Sequence, residues 1–275
     1  MEDPARLGTS IRPDGRTLAW SEWGPADGRP VLLFPGAATS RWLGLAEGVP
    51  DALRVRLISV DRPGLGASDP APGRSLLDWA DDVRALGLDR PAAIAYSQGA
   101  PFGLACAHRG VISALAVVAG TDELAAPEVA DRLRPDVRKL VQLPEAEARE
   151  AFAGVANPDT MIEMVLSMSS DADRAIYTEP SFAAAYRRAL TEAFVQGTDG
   201  YVTDTLLSMT RWPFDPAEIR VPVTLWYGAR DTSPVHSPDF GASLARRIPG
   251  AARHLLPDEG GALLWTRGCD IVSGL

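Results

Sequence analysis

Short, uninterrupted apolar runs recur along this chain: VLLF at 31–34, VRLISV at 55–60, AAIAY at 92–96, LAVV at 115–118, and, much later, VTLWY at 223–227 and RHLL at 253–256. The first four are spaced so that a helix fits between successive members. A strand that is apolar throughout is covered on both faces, which is the condition inside a mainly parallel sheet with crossover helices. Residues 9–23 follow another pattern: TSIR and RTLAWSEW flank the turn Pro13-Asp14-Gly15, which predicts an antiparallel pair at the start of the fold.

From about Asp122 to Arg220 the alternation of strand and helix stops. Stretches such as PEVADRLRPDVRKLVQL and FAAAYRRALTEAFV space their apolar residues helically. The pattern predicts a core made of residues 1–121 and 221–275, with a helical lid, residues 122–220, inserted into it. Met161, Met164 and Met168 fall at i, i+3 and i+7, on one helical face. Such a face either packs on a neighbouring helix or lines a substrate cavity with adaptable side chains.

Composition removes several function classes. A chain of 275 residues, 46% apolar, is long enough for one substantial core with an insert. Its 27 basic and 36 acidic side chains give a net charge of −9, with no basic block to engage a phosphate backbone, so nucleic acid is not an expected partner. No run approaches the roughly 20 apolar residues that span a bilayer, and MEDPARLGTS is not a basic-then-apolar leader. A cytoplasmic protein without a membrane partner is expected. Cys106 and Cys269 are far apart and lack metal-ligand spacing, so both read as buried thiols, and neither a metal site nor a disulfide is expected. No glycine-rich nucleotide loop appears, and no organic cofactor is expected. The partner expected is a small-molecule substrate; oligomeric state leaves no mark on the sequence.

The chemistry starts at AAIAYSQGAPFGLACAHRG. Ser97 stands between an apolar strand and an alanine-rich helix, with Ala95 two residues before it and Gly99 two residues after. A serine in a tight strand-to-helix turn needs tiny neighbours at both flanks, because the two backbones approach closely there. Ser97 is therefore the candidate nucleophile or hydrogen-bond donor. Asp231 follows an apolar strand and a small-residue turn, which suits an orienting carboxylate.

VLLFPGAATSRWL, DRPGLGASDP and AYSQGAPFGLACA, in that order, resemble the successive signatures of the α/β-hydrolase superfamily. The likeness is strongest to its lidded branch of esterases, lactonases and carbon–carbon hydrolases, and PFDPAEIRVPVTLWYGARDTSPVHS resembles the family's return from lid to acid loop. The resemblance implies an α/β-hydrolase fold: a mainly parallel, eight-stranded sheet with flanking helices and the lid between strands six and seven. It also implies Asp231 as the triad aspartate and the backbone N–H groups of Ala37 and Gln98 as an oxyanion hole. Two departures stand out. Ala95 replaces the first glycine of the elbow, and Pro35 replaces a histidine that braces the oxyanion loop, so bracing is expected from elsewhere, with Trp42 the candidate. Pro35 and Trp42 join the three methionines as expected pocket residues. Asp61-Arg62-Pro63-Gly64 matches the family closely but is expected only to hold a turn. Asp122 and Glu123 are expected to cap a helix, although some related arrangements draw a carboxylate from that place.

The third departure concerns the base. After its last strand the family carries a glycine and then the histidine that takes the serine proton; here those positions read Gly260 and Gly261. Of the three histidines, His108 lies about 16 Å along the helix from Ser97, and His254 belongs to the final strand. His236, five residues after Asp231, is the one possible surrogate base, given a local change in its loop. The expectation is an incomplete triad in which no imidazole reaches Ser97. The function expected is that of an enzyme acting on a small, largely apolar carbonyl compound (ester, lactone or polyketide-like) through Ser97, Asp231 and the backbone oxyanion hole. The alternatives are a non-hydrolytic lyase or cyclase on the same fold, a catalytically inactive small-molecule binder, and an engineered His-to-Gly variant of an ordinary serine hydrolase.

Overall fold

The structure, a computed structural model, describes residues 1–275. The eight strands are β1 (Arg6–Ile11), β2 (Thr17–Trp23), β3 (Arg29–Phe34), β4 (Val55–Val60), β5 (Ala92–Tyr96), β6 (Leu115–Val118), β7 (Val223–Gly228) and β8 (Ala252–Leu256). They form one sheet in the order β1-β2-β4-β3-β5-β6-β7-β8. Pairing is antiparallel between β1 and β2 and between β2 and β4, and parallel everywhere else. The turn of the opening hairpin closes through Gly15, whose φ of 86° is open to glycine.

Strand periodicity divides the core into two layers. Val31, Leu33, Ile94, Tyr96, Ala116 and Val118 point to one side of the sheet, while Leu32, Phe34, Ala93, Ala95, Leu115 and Val117 point to the other. The second layer is closed by α2 (Leu76–Arg84), α3 (Gly99–His108) and α11 (Ala242–Arg247). The first is closed by α1 (Val49–Ala52), α12 (Leu263–Thr266), α13 (Gly268–Ser273) and part of the segment between β6 and β7. Helix α3 is buried from Gly99 to Ala107, which explains why its sequence is apolar all round instead of amphipathic.

Between β6 and β7 the chain runs through α4 (Pro127–Ala130), α5 (Pro135–Val141), α6 (Glu145–Val155), α7 (Pro158–Met168), α8 (Asp171–Tyr177), α9 (Pro180–Ala193) and α10 (Asp199–Met209). Four of these begin on proline, whose missing N–H costs nothing in a first turn. The stretch read as one helical pattern, PEVADRLRPDVRKLVQL, is two short helices. Arg134, held extended at ψ 148° ahead of Pro135, interrupts it. One thiol also differs from expectation: Cys106 is buried, but Cys269 is exposed on the short terminal helix. No helix is long and apolar enough to cross a membrane.

Candidate active site

The turn from β5 into α3 is held by close approach. Ser97 has a φ of 50°, in the left-handed region that a non-glycine residue occupies only under constraint. The constraint is visible: Ser97 N–H donates to the Val118 carbonyl at 3.0 Å, and its carbonyl accepts from Ala100 and Thr121 at 3.0 and 3.1 Å. A Cβ at Gly99 would lie 2.2 Å from the Phe34 carbonyl oxygen, so that position admits only glycine. Ala95 is accommodated from the helix side: a Cβ on Gly103 would sit 2.7 Å from that of Ala95, so the glycine absent from the strand is supplied by α3.

His236 reaches the serine. Its Nε2 lies 2.9 Å from Ser97 Oγ and its Nδ1 2.6 Å from Asp231 Oδ2. The carboxylate only accepts, so Nδ1 carries the proton and Nε2 is free to accept from the hydroxyl. The expectation that no imidazole contacts Ser97 is therefore corrected. The loop after β7 carries both carboxylate and ring: Asp231 Oδ1 accepts from Ser233 N–H at 2.9 Å, turning the chain back on itself. Ser237 then fastens the loop to the end of β6, with its N–H donating to the Gly120 carbonyl at 3.0 Å and its hydroxyl to Asp122 at 3.1 Å. The other two histidines are far from this chemistry. His108 stacks on Phe214, and His254 on Trp226.

Ala37 and Gln98 flank the hydroxyl from the two loops, and neither backbone N–H donates to a protein acceptor. The first loop is braced by Arg62, not Trp42. The Arg62 guanidinium, fully buried, donates to the Pro35 and Gly36 carbonyls at 2.6 and 3.1 Å and to Asp204 of α10 at 2.5 Å. It also lies 4.8 Å above the Phe102 ring. Arg62 thus does more than hold a turn; that task falls to its neighbour Asp61, which accepts from Arg41 and Ala67 N–H. Trp42 lies beneath the Arg188 guanidinium, which sits 3.5 Å from the Trp42 ring centre, and its indole N–H makes no hydrogen bond to the loop.

Residues 31–265 match the model of the alpha/beta hydrolase family. The chain belongs to that family. Among solved structures it is similar to a probable hydrolytic enzyme from Pseudomonas aeruginosa PAO1 (TM-score 0.74, 18% identity, covering 99% of this chain and 95% of that one). It is also similar to a bromoperoxidase from Bacillus anthracis (TM-score 0.72, 18% identity, 98% and 97%) and to an enol-lactonase from Burkholderia xenovorans LB400 (TM-score 0.68, 19% identity, 97% and 97%). At such identities the likeness is one of fold. No curated protein matches by sequence.

In this alpha/beta hydrolase family member, a cavity of about 400 Å³ opens at the carboxyl ends of the strands. Met161, Met164 and Met168 all line it, together with Phe152, Val165 and Tyr186; Pro35 and Trp42 do not, the first because its carbonyl is turned to Arg62 and the second because its ring is covered by Arg188. No lysine or arginine faces this space. Its titratable groups are Asp231, His236, Asp173 and the phenols of Tyr96, Tyr177, Tyr186 and Tyr201. Nowhere do three or more His, Cys, Asp or Glu side chains converge to hold a metal ion.

Two carboxylates crowd the double glycine, Asp173 of α8 at Gly260 and Asp231 at Gly261. The Asp173 carboxylate accepts from the backbone N–H groups of Gly261 and Ala262, each at 2.9 Å, and from Ser170 Oγ at 2.8 Å. A Cβ at Gly260 would lie 2.1 Å from Asp173 Oδ2, and one at Gly261 would lie 3.0 Å from Asp231 Oδ1. The place expected to hold the base is thus used to dock a helix of the insert. Tyr96 donates to the Gly261 carbonyl at 3.3 Å, and its oxygen lies 2.9 Å from that of Tyr177, so α8 meets the core at two points on one face. Burial raises both phenols well above their ordinary pKa, and they stay neutral.

Asp122 and Glu123 cap no helix. Asp122, with its pKa pushed up to about 6 chiefly by burial, accepts from Ser237 and Glu123 N–H. Glu123 accepts from Trp212 N–H and pairs with Arg211 and Arg247. Sequence reasoning missed the roles of Arg62 and Asp173 altogether. The partners of Arg62 lie 26, 27 and 142 residues away and those of Asp173 in the last loop 88 and 89, so no local pattern announces them.

Proposed function

We propose that the protein is a serine hydrolase of small, neutral, largely apolar esters or lactones, with Ser97 as nucleophile, His236 as general base and Asp231 as the group that orients it. The observation that carries this reading is the continuous relay Ser97 Oγ, His236 Nε2, His236 Nδ1, Asp231 Oδ2, with contacts of 2.9 and 2.6 Å. As Ser97 attacks the carbonyl carbon, its proton passes to Nε2. The oxygen that gains charge is received by the free N–H groups of Ala37 and Gln98, held in place by Arg62 and by the tight elbow. His236 then protonates the leaving oxygen, and a water deprotonated by the same ring releases the acid from Ser97.

The cavity lining supports neutral substrates: without a cationic side chain, and with Asp173 and Asp231 at its wall, it offers nothing to balance a carboxylate or phosphate. The lyase, cyclase and binding-only readings, and that of an engineered His-to-Gly variant, were motivated by an absent base, and an imidazole in contact with Ser97 removes that motive. The helices between β6 and β7 serve in this reading as the lid over the cavity. The test is hydrolysis of p-nitrophenyl acetate and butyrate, with covalent labelling by a fluorophosphonate. Turnover and labelling that both vanish in Ser97→Ala support the reading; turnover that survives in Ser97→Ala overturns it.

A further inference from the structure

The helical insert contains a second cavity of about 280 Å³, walled by α7, α8 and α9. Its lining is largely apolar, with Ile162, Leu166 and Ala183 half-buried inside and Thr178 and Arg187 exposed at the rim. Val165, Tyr177 and Tyr186 line both this cavity and the one at Ser97, so a single layer of three side chains lies between the two.

Those three side chains differ in how firmly they are held. Tyr177 is tied to Tyr96 through its hydroxyl, whereas Tyr186 is 9% exposed and burial alone shifts its phenol, upward, with no hydrogen bond to the protein. The Tyr186 hydroxyl opens to the cavity space at this boundary and is a free donor there. The rim does not select for anions, because the Arg187 guanidinium is already bound to Asp159.

We propose that the two cavities form one bipartite substrate site. The reacting carbonyl sits at Ser97, and an unbranched apolar arm of a neutral ester or lactone passes between Val165, Tyr177 and Tyr186 into the cleft of α7–α9. This rests on the hydrolase reading above and adds a substrate class to it. Each methylene withdrawn from water there raises kcat/KM by up to about fourfold.

The experiment is a chain-length series of p-nitrophenyl esters from acetate to dodecanoate, run on the protein and on Ala183→Trp. Ala183 lines only the second cleft, so the new side chain fills that cleft and leaves Ser97 untouched. The expected result is that kcat/KM for decanoate falls at least tenfold in Ala183→Trp, mainly through KM, while acetate stays within twofold. Ile162→Trp, from the facing helix, gives the same pattern and serves where Ala183→Trp loses its thermal transition. Binding of methyl decanoate to Ser97→Ala, measured by calorimetry with and without Ala183→Trp, reads the cleft without any chemistry. Weakened binding in the filled variant alongside an inert wild type would sink the hydrolase reading and keep the cleft. Short-ester turnover with the same response to Ala183→Trp at every chain length would overturn the cleft and keep the hydrolase.

Discussion

The turn at Ser97 and the two loops after β7 and β8 build one site by opposite means. At the turn, the residue types that matter are near in sequence, Ser97 at φ 50°, Gly99, and Gly103 against Ala95, while the distant strands β3 and β6 contribute only backbone carbonyls, those of Phe34 and Val118. Sterics leave one solution, and the alanine in the strand is met by a glycine in the helix that follows. The two loops are under no such compulsion. Their conformation follows from contacts with distant elements, Ser237 with Gly120 and Asp122, and Gly261 with Asp173, so the imidazole can arrive from the β7 loop while the β8 loop becomes a docking point. A tight turn dictates a residue type, whereas a loop needs only to deliver a group to a point in space.

The sharpest way to break this comparison is to move the base. His236→Ala is expected to lower kcat by about 10⁴-fold or more. Gly261→His in the wild-type background brings no gain, since Asp231 Oδ2 is already engaged by His236 and a Cβ at 261 crowds that carboxylate. Steady-state rates on p-nitrophenyl butyrate check both; a large gain from Gly261→His would return the base to the β8 loop.

Arg62→Met comes next. It leaves the Pro35 carbonyl without its donor, the Gly36 carbonyl with the Thr39 hydroxyl alone and Asp204 with Arg74 alone, and is expected to cost about 3–5 kcal/mol in urea unfolding. Trp42→Phe, which touches none of these groups, leaves kcat unchanged. Equal losses of kcat in the two variants would contradict Arg62 as the brace.

The turn itself is tested by Gly103→Ala, expected to destabilise by about 1–2 kcal/mol as its Cβ meets Ala95 and Leu115, net of the helix propensity gained. Adding Ala95→Gly recovers most of that loss, and additivity in the double-mutant cycle would show that the two positions do not compensate each other.

An effect of similar size, seen only as pH changes, concerns the anchor of the base loop. Asp122 titrates near 6 in the folded state against an ordinary 3.8, because burial disfavours its charge. The folded state therefore holds the proton more tightly, so the stability it contributes is complete below about pH 4 and is lost as pH rises through about 6. Asp122→Asn cannot lose that contribution. Its stability relative to wild type should climb by about 1–3 kcal/mol between pH 4 and pH 7, read from urea midpoints, and a flat difference would place Asp122 in contact with water.

How far the residues spoke for themselves depends on distance. Apolar runs and their spacing determined the strands, their parallel core and the presence of helices between β6 and β7, because periodicity and burial on two faces are properties of contiguous residues. Ser97 was equally legible, since a strained turn imprints its requirement on its immediate neighbours. His236 stood within reach of inference, as the remaining histidine once the other two were assigned to helix end and strand, but its ring could be placed only by the path of a loop. Arg62 and Asp173 were silent altogether, their partners being carbonyls, amides and a carboxylate brought close by the folded chain. Backbone groups are the same at every residue, so only tertiary structure decides which of them a side chain will meet.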